Sequence, residues 1–545
     1  MNYDALFAQY ADRTVRAGLI GAGQFGASFI AQTIRTPILD VPLLCDLDAE
    51  RAASAFAVAG YADEDIVIAD SSVSATAALE KGRRVAIQDA TIVPELPIDI
   101  VVEATGNPEA AVAIGVAAID AGKHLAMVSK EADSVVGPYL SQRANKAGVV
   151  ATPVDGDQPS LLIGLLSWAR LLGLNVVAAG KSSEYDFVYD RIHGTVSWRG
   201  EAIALPDFAD VWVMPERGVK ETVEARSEML WAFPQRTVPD LCEMGVVCNH
   251  SDLLPDCPTF HAPHARTLEV SEILRSVDDG GILERTGRID VFNCLRRSDE
   301  QSFAGGVFIV VECTDAETWQ VLKEKGIPVS RAGGHALLYN PSHLLGVEAP
   351  ASVLSACLLG YGTGSPNVEH KVDLLARADR NWSTGDVLTI TDHHHHEVAG
   401  LEPLLMPPAP LSEDAPLPYY MATGRTLVQD VAKGEVITRS MVAAPNDSVL
   451  WRTRDEMDRM RQTPLTRDEF GLILANTICA KPGAPKIEGV SIPVNERLLG
   501  YLLHRYDEEV AELGRTQWAA YNALTHWSTH TDTEWTTSEG KTYQT

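Results

Sequence analysis

At 545 residues the chain is too long for one hydrophobic core, and its length suggests roughly three or four domains. A formal net charge of -29, from 45 Lys+Arg against 74 Asp+Glu, excludes a surface matched to a nucleic-acid backbone, and no apolar run approaches the roughly 20 residues of a membrane helix. Eight scattered cysteines make no disulfide framework, and the acid-bearing opening MNYDALFAQYADRT lacks a signal peptide's apolar stretch, so a soluble cytoplasmic protein is expected.

The first strong signal is VRAGLIGAGQFGASFIAQTI. An apolar strand from Val15 to Ile20 runs into Gly21-Ala22-Gly23-Gln24-Phe25-Gly26, and a helix with apolar positions at Phe29, Ile30 and Ile34 follows. In this strand-turn-helix setting Gly21 permits the tight turn, Gly23 admits a pyrophosphate and Gly26 lets helix and strand close together. The helix N-terminus, with Gln24 and Phe25, offers free N–H groups to the phosphates. A second strand, VPLLCD, ends at Asp46, where an acid can hold an adenosine ribose and favour NAD. Arg51 stands close enough to hold the extra phosphate of NADP, so both cofactors remain candidates.

Strand and helix keep alternating. IDIVVEATGNPEAAVAIGVAAIDAG gives a strand ending near Glu103, a loop with Thr105 and Gly106, and a helix from about Pro108. KHLAMVSKEAD gives a short strand and a loop holding Lys130, Glu131 and Asp133. GVVATPVDGDQPSLLIGLLSWARLLG adds a strand, an acidic loop with Asp155 and Asp157, and an apolar helix. Such alternation implies a parallel, doubly wound sheet, and the loops 104–107, 129–133 and 155–159 fall on its carboxyl edge, where ligands bind.

Beyond about residue 175 the pattern changes. NVVAAGKSSEYDFVYD reads as a short strand followed by Lys181 and a run of hydroxyls and acids. A lysine ammonium there could stabilise the alkoxide of a hydride transfer, or be a solvated surface charge. TVPDLCEMGVVCNHSDLLPDCPTFHAPHAR holds Cys242, Cys248, Cys257, His250, His261 and His264, but the spacing matches no closed zinc framework, so no metal ligands are assigned. Farther on, Tyr339, His343 and Glu348 flank an apolar helix, and His343 reads equally as a substrate-facing or a structural histidine.

LARADRNWSTGDVLTITD and MATGRTLVQDVAKGEVITRSMV share one form and read as two hairpin-like segments of a small β module. The Pro-rich PLLMPPAPLSEDAPLPYY between them suits a loop, and DSVLWRTRDEMDRMR is a closing helix. TDHHHHEVAG places His393, His394, His395 and His396 inside this module. On a strand at most two of the four could share a ligand, with Asp392 and Glu397 as local partners. The open question is whether this stretch reaches the active cleft. From about residue 463 an amphipathic region leads to STHTDTEWTTSEGKTYQT, whose composition suggests disorder.

Together, EATGNPEAA, KHLAMVSKEADSVVGP, DGDQPS, AAGKSSEYD, SRAGGHALLYNPSHLLGVE and the Gly-Asp/Gly-Glu module resemble homoserine-dehydrogenase-like oxidoreductases with a SAF domain. That group includes DXR-like reductoisomerases, which use a nicotinamide cofactor to convert 1-deoxyxylulose 5-phosphate to methylerythritol 4-phosphate. The resemblance spans about residues 10–460. It implies an NAD(P)-binding Rossmann domain at 1–165, a mixed α/β catalytic domain at 166–372 and a SAF-like β domain at 373–462, with an appended, partly helical segment at 463–545. It also implies that Lys130, Glu131, Asp133, Asp157 and Lys181 line the cleft. The Asp/Lys motif of homoserine dehydrogenases themselves is not found.

The resulting expectation is an α/β enzyme that transfers hydride between NAD or NADP and a small hydroxylated carbonyl compound, with Lys130, Lys181, Asp157 and Glu131 as catalytic candidates. The cofactor would be held by Gly21, Gly23, Gln24, Phe25, Gly26, Asp46, Thr105 and Gly106. Clustered carboxylates could also hold a divalent cation and permit a coupled isomerisation. The partners expected are a small-molecule substrate and further copies of the chain, with neither nucleic acid nor membrane. The rival reading is an NAD(P)-binding sensor or assembly factor whose SAF-like domain grips a partner.

Overall fold

The computed structural model describes residues 2–215, 218–391 and 396–462, together with 534–536 and 542–544. Met1–Trp451 form one compact unit and Arg452–Thr545 a second.

The first unit opens with a seven-stranded sheet of β1 Val15–Ile20, β2 Leu39–Cys45, β3 Ile66–Ile68, β4 Arg84–Ile87, β5 Ile100–Glu103, β6 His124–Met127 and β7 Ala151–Pro153. All pairings are parallel, in the order β3-β4-β2-β1-β5-β6-β7. The central strands are apolar because both faces are covered by helices. Val15, Leu19, Phe29, Val41, Leu44 and Val102 share one core with Val353 of the helix Ala349–Leu354. From β1 the chain winds to one side through β2, then returns through β5 to the other. That reversal opens a crevice above the carboxyl ends of β1 and β5.

The second sheet is mixed, with eight strands: β8 Asn175–Asp190, β9 Thr195–Trp198, β10 Glu201–Ala204, β11 Leu254–Pro255, β12 His264–Ala265, β13 Arg288–Arg296, β14 Val307–Glu312 and β15 His335–Asn340. β8 lies parallel to β13 and antiparallel to β14. Here the sequence expectation needs correction. The short strand ending before Lys181 is one 16-residue strand that carries Lys181 in its interior. The lysine does not end the strand because buried acids neutralise it.

A second correction concerns residues 130–133. They are not loop but the first turn of the helix Lys130–Ala147, where Glu131 and Asp133 sit at the positive end of the helix dipole.

The small β module pairs β16 Asp373–Ala378 with β17 Leu401–Met406, antiparallel. Isolated bridges such as Arg377↔Val436 and Val387↔Thr426 tie the two Gly-Asp/Gly-Glu segments together. The start of the Pro-rich stretch, expected as loop, is therefore strand. Pro403 pairs opposite Ala376 in this two-stranded ribbon, where its missing N–H is tolerated.

The helix Val449–Gln462 runs into the second unit, where Arg454 donates to Asp458 one turn on at 3.1 Å. Farther along, β18 Glu534–Thr536 and β19 Thr542–Gln544 pair antiparallel. The other expectations for 463–545 lie outside the described residues, as do those for Asp392, His393, His394 and His395. Among the described residues no helix is long and apolar enough to cross a membrane.

Candidate active site

The glycine turn sits where β1 hands over to the helix Gln24–Thr33. Gly21 has φ +109°, and a Cβ there would fall 2.3 Å from the Ala104 carbonyl oxygen on the loop after β5. A Cβ on Gly26 would fall 2.1 Å from the Gly21 carbonyl oxygen, so the helix closes on the turn only without a side chain. Gly23 differs: nothing lies within 4 Å of its would-be Cβ. As the helix N-cap it has no side chain to satisfy the first N–H groups, among them those of Gln24 and Phe25. That arrangement fits a dinucleotide's pyrophosphate.

Asp46 stands one residue beyond β2, and its carboxylate accepts from the Ala22 amide at 2.8 Å. Arg51 donates to the Ala22 carbonyl at 3.0 Å. Both side chains proposed to read the ribose are thus anchored to the turn that would hold the phosphates.

The loop after β5 is pinned from below by Glu103, which is fully buried. Its Oε1 accepts from the Thr105 amide at 2.8 Å, the Thr105 hydroxyl at 2.6 Å and Ser129 Oγ at 3.0 Å. The Gly106 amide in turn donates to Ser129 Oγ at 2.8 Å. Burial raises the Glu103 carboxyl above its ordinary range despite these bonds. Thr105 and Gly106 therefore stand on a rigid ledge at the carboxyl end of the sheet.

The catalytic candidates converge on Glu243. This side chain is 1% exposed and comes from the helix Val238–His250. One oxygen lies 2.6 Å from Lys130 Nζ, and the other pairs with Lys181 Nζ. Burial would raise the Glu243 carboxyl, but the two ammonium groups bring it down to about 2. Lys181 also meets Asp240 at 3.1 Å, and Asp240 accepts from Ser183 Oγ at 2.8 Å. Lys130 lies 3.7 Å from Asp157, whose carboxylate also caps the helix Gln158–Leu171. Burial would lower the Lys130 pKa, yet Asp157, Glu243 and Glu131 hold it well above the usual range. A cation at a helix N-terminus opposes the dipole, and these carboxylates offset that cost.

The two lysines differ in access. Lys181 is sealed, with its side chain 1% exposed, whereas 24% of the Lys130 side chain remains open. Only Lys130 can meet a substrate from this conformation. Lys181 instead fixes Glu243, which fixes Lys130.

Glu131 and Asp133 are more deeply buried than Lys130, and Asp133 shares a small cavity of about 10 Å³ with Lys130 and Asp157. Burial raises each carboxyl to about 7, with Lys130 partly opposing the rise at Glu131. Asp133 borders a water-sized cavity of about 20 Å³ shared with His250, whose own pKa burial lowers to about 4. Glu131 meets the β module: His396 Nδ1 lies 3.4 Å from its carboxylate, and the His396 and Tyr420 rings meet edge-on. The one described histidine of the run thus touches the helix that presents Lys130.

His343 Nδ1 donates to the Gly305 carbonyl at 3.0 Å. Cys242, Cys248 and His250 lie on the helix Val238–His250, while His261 pairs with Asp290 at 2.7 Å. Among the described residues no three His, Cys, Asp or Glu side chains come together as a metal-binding group. The cleft carboxylates do not fit a divalent cation, because lysine ammoniums already occupy Asp157 and Glu243.

Sequence reasoning passed over Asp240 and Glu243. Thiols and imidazoles are the conspicuous residues of that stretch, although its i, i+3 acid pair on a buried helix carries the better signal.

Residues 156–349 match the family model described as "Oxidoreductase DRL, catalytic domain". The chain carries an oxidoreductase catalytic domain. The matched segment contains Lys181, Asp240, Glu243 and Asp157, but the resemblance to homoserine dehydrogenases and SAF domains goes beyond it. No curated protein matches the chain. Among solved structures, GenD2 from gentamicin A biosynthesis in complex with NAD is 14% identical over 65% of this chain and 89% of its own, at TM-score 0.31. WlbA dehydrogenase from Bordetella pertussis, with NADH and UDP-GlcNAcA, is 15% identical over 33% and 49%, at 0.22. Levoglucosan dehydrogenase with NADH and L-sorbose is 18% identical over 33% and 44%, at 0.23.

Proposed function

We propose that the chain is an NAD(P)-dependent oxidoreductase that transfers hydride between the nicotinamide and a small hydroxylated carbonyl compound. The substrate is of sugar-phosphate, sugar-acid or hydroxy-amino-acid type. One observation carries the reading: the partly exposed Lys130 side chain, its ammonium fixed by Glu243 at the carboxyl edge of a parallel sheet whose first turn has room for a pyrophosphate.

Gly21, Gly23 and Gly26 hold the diphosphate against the helix start, with Gln24 and Phe25 contributing backbone N–H groups. Asp46 meets the ribose, and Thr105 and Gly106 border the nicotinamide. The bound dinucleotide supplies or accepts the hydride. Lys130 stays charged and stabilises the oxygen that becomes an alkoxide as the carbonyl is reduced. Asp157 orients a neighbouring hydroxyl, and Lys181 is a positioning residue acting through Glu243. Glu131, facing His396, joins the cleft to the β module and does not serve as a reacting base. With Asp157 and Glu243 engaged by lysines, the reading routes no step through a metal.

The test is a cofactor-fluorescence titration with NADH and NADPH, followed by turnover on sugar phosphates, sugar acids and hydroxy-amino acids. Cofactor binding with turnover on one class is expected. Tight binding without turnover on any of them, unaltered by changing Lys130, would favour the sensor or assembly factor instead.

A further inference from the structure

A cavity of about 520 Å³ is bordered by Asp155, two residues before Lys130's partner Asp157, and the redox reading gives it no role. Its walls are the N-terminal helix Tyr3–Phe7, the turn Ala8–Tyr10 and the outer face of the helix Ala349–Leu354 with its continuation Ser355–Leu359. That continuation is a π-helical turn, a rare irregularity that recurs at functional sites. Four aromatic rings line the space: Tyr3, Phe7, Tyr10 and Tyr361.

The charged group among the described lining residues is Asp155. Its Oδ1 accepts from Ser160 Oγ at 2.5 Å, and its amide donates to Ser352 Oγ at 2.7 Å. Thr363 Oγ1 lies 2.9 Å from Ser160 Oγ and 3.2 Å from Ser352 Oγ, so a hydroxyl cluster fixes the carboxylate in place. No lysine or arginine is among the described residues lining the cavity. Burial raises the Asp155 carboxyl, the Ser160 and Ser352 hydroxyls oppose the rise, and Glu348 adds to it. A cation beside Asp155 would relieve that cost. Aromatic faces attract the same charge through their quadrupoles.

We infer that this cavity is a second small-molecule site, separate from the hydride-transfer cleft, that binds an organic ammonium: its charged nitrogen at Asp155 and its apolar body among Tyr3, Phe7, Tyr10 and Tyr361. The volume suits a ligand of drug-like size. The site lies within reach of the cleft, because Gly156 accepts from the Leu345 amide at 3.1 Å and Asp157 follows directly.

The experiment is calorimetric titration of the full chain at neutral pH with 2-phenylethylamine and with its neutral counterpart 2-phenylethanol. The amine should bind at least about tenfold more tightly than the alcohol. Asp155→Asn should remove that preference. Tyr361→Ala changes a ring that is 71% exposed, so the fold should tolerate it, and it should weaken the amine by roughly three- to thirtyfold while leaving NADH binding unchanged. Equal affinity for amine and alcohol, or no binding of either, overturns the proposal. So does a change of sedimentation coefficient in Tyr361→Ala, which would make this face an interface between copies of the chain.

Discussion

Asp133→Asn should make the protein more stable, and only above acid pH. Asp133 is 8% exposed in the first turns of the helix Lys130–Ala147, and burial raises its carboxyl from 3.8 to about 7. A carboxyl whose folded pKa lies above its unfolded value contributes stability that is complete below the unfolded pKa. That contribution is lost as pH rises through the folded pKa. Between about pH 4 and pH 7 the unfolded chain ionises Asp133 while the folded chain keeps it protonated. A shift of roughly three units at about 1.4 kcal/mol each gives a penalty of ~4 kcal/mol in the parent above pH 7. Asparagine has nearly the same shape and cannot ionise, so the variant should gain up to ~4 kcal/mol at pH 8 and nothing at pH 4. Urea unfolding at a series of pH values reads this as a growing separation of midpoints at unchanged slope. A constant difference at all pH values, or a variant less stable at pH 8, would refute the reasoning.

Three further outcomes follow from the site. Lys181→Met should destabilise the protein by about 3–5 kcal/mol, because it strands Asp240 without its buried counter-ion and leaves Glu243 with Lys130 alone; Lys181→Met combined with Asp240→Asn should recover part of the loss, as thermal melts would show. Gly23→Ala should leave the melting temperature unchanged, since its Cβ meets nothing, while weakening NADH binding by tenfold or more; Gly26→Ala should lower both. Burial pushes the Glu131 carboxyl up to about 7 beside Lys130, and its ionisation changes the charge around that ammonium, so the kcat/KM profile should inflect there, and Glu131→Gln should abolish the inflection.

Much of the first sheet was legible because its signals are local. β1 occupies the expected residues from Val15 to Ile20, and Gly21 and Gly26 stand where a Cβ would collide with backbone, as their spacing implies. Lys130, Glu131 and Asp133 looked like loop because they are charged and follow a short strand. Their burial against the helix Val238–His250 is a long-range effect that no window of sequence displays. The same cause hid the length of β8: a lysine inside a strand reads as its end until Glu243 and Asp240, some 60 residues away, are known to neutralise it. For the histidine run, sequence left open whether it reaches the cleft; of its residues, His396 lies beside Glu131, a contact across 265 residues of chain that no local pattern displays.

The central claim is that Lys130, held by Glu243, stabilises the charge created by hydride transfer. Its most direct test is single-turnover oxidation of NADH or NADPH, with whichever substrate class supports turnover, in the parent and in Lys130→Met. The account predicts unchanged cofactor affinity with hydride transfer slowed by about a hundred- to a thousandfold, the loss typical of removing one oxyanion donor. An unchanged single-turnover rate in Lys130→Met would contradict it.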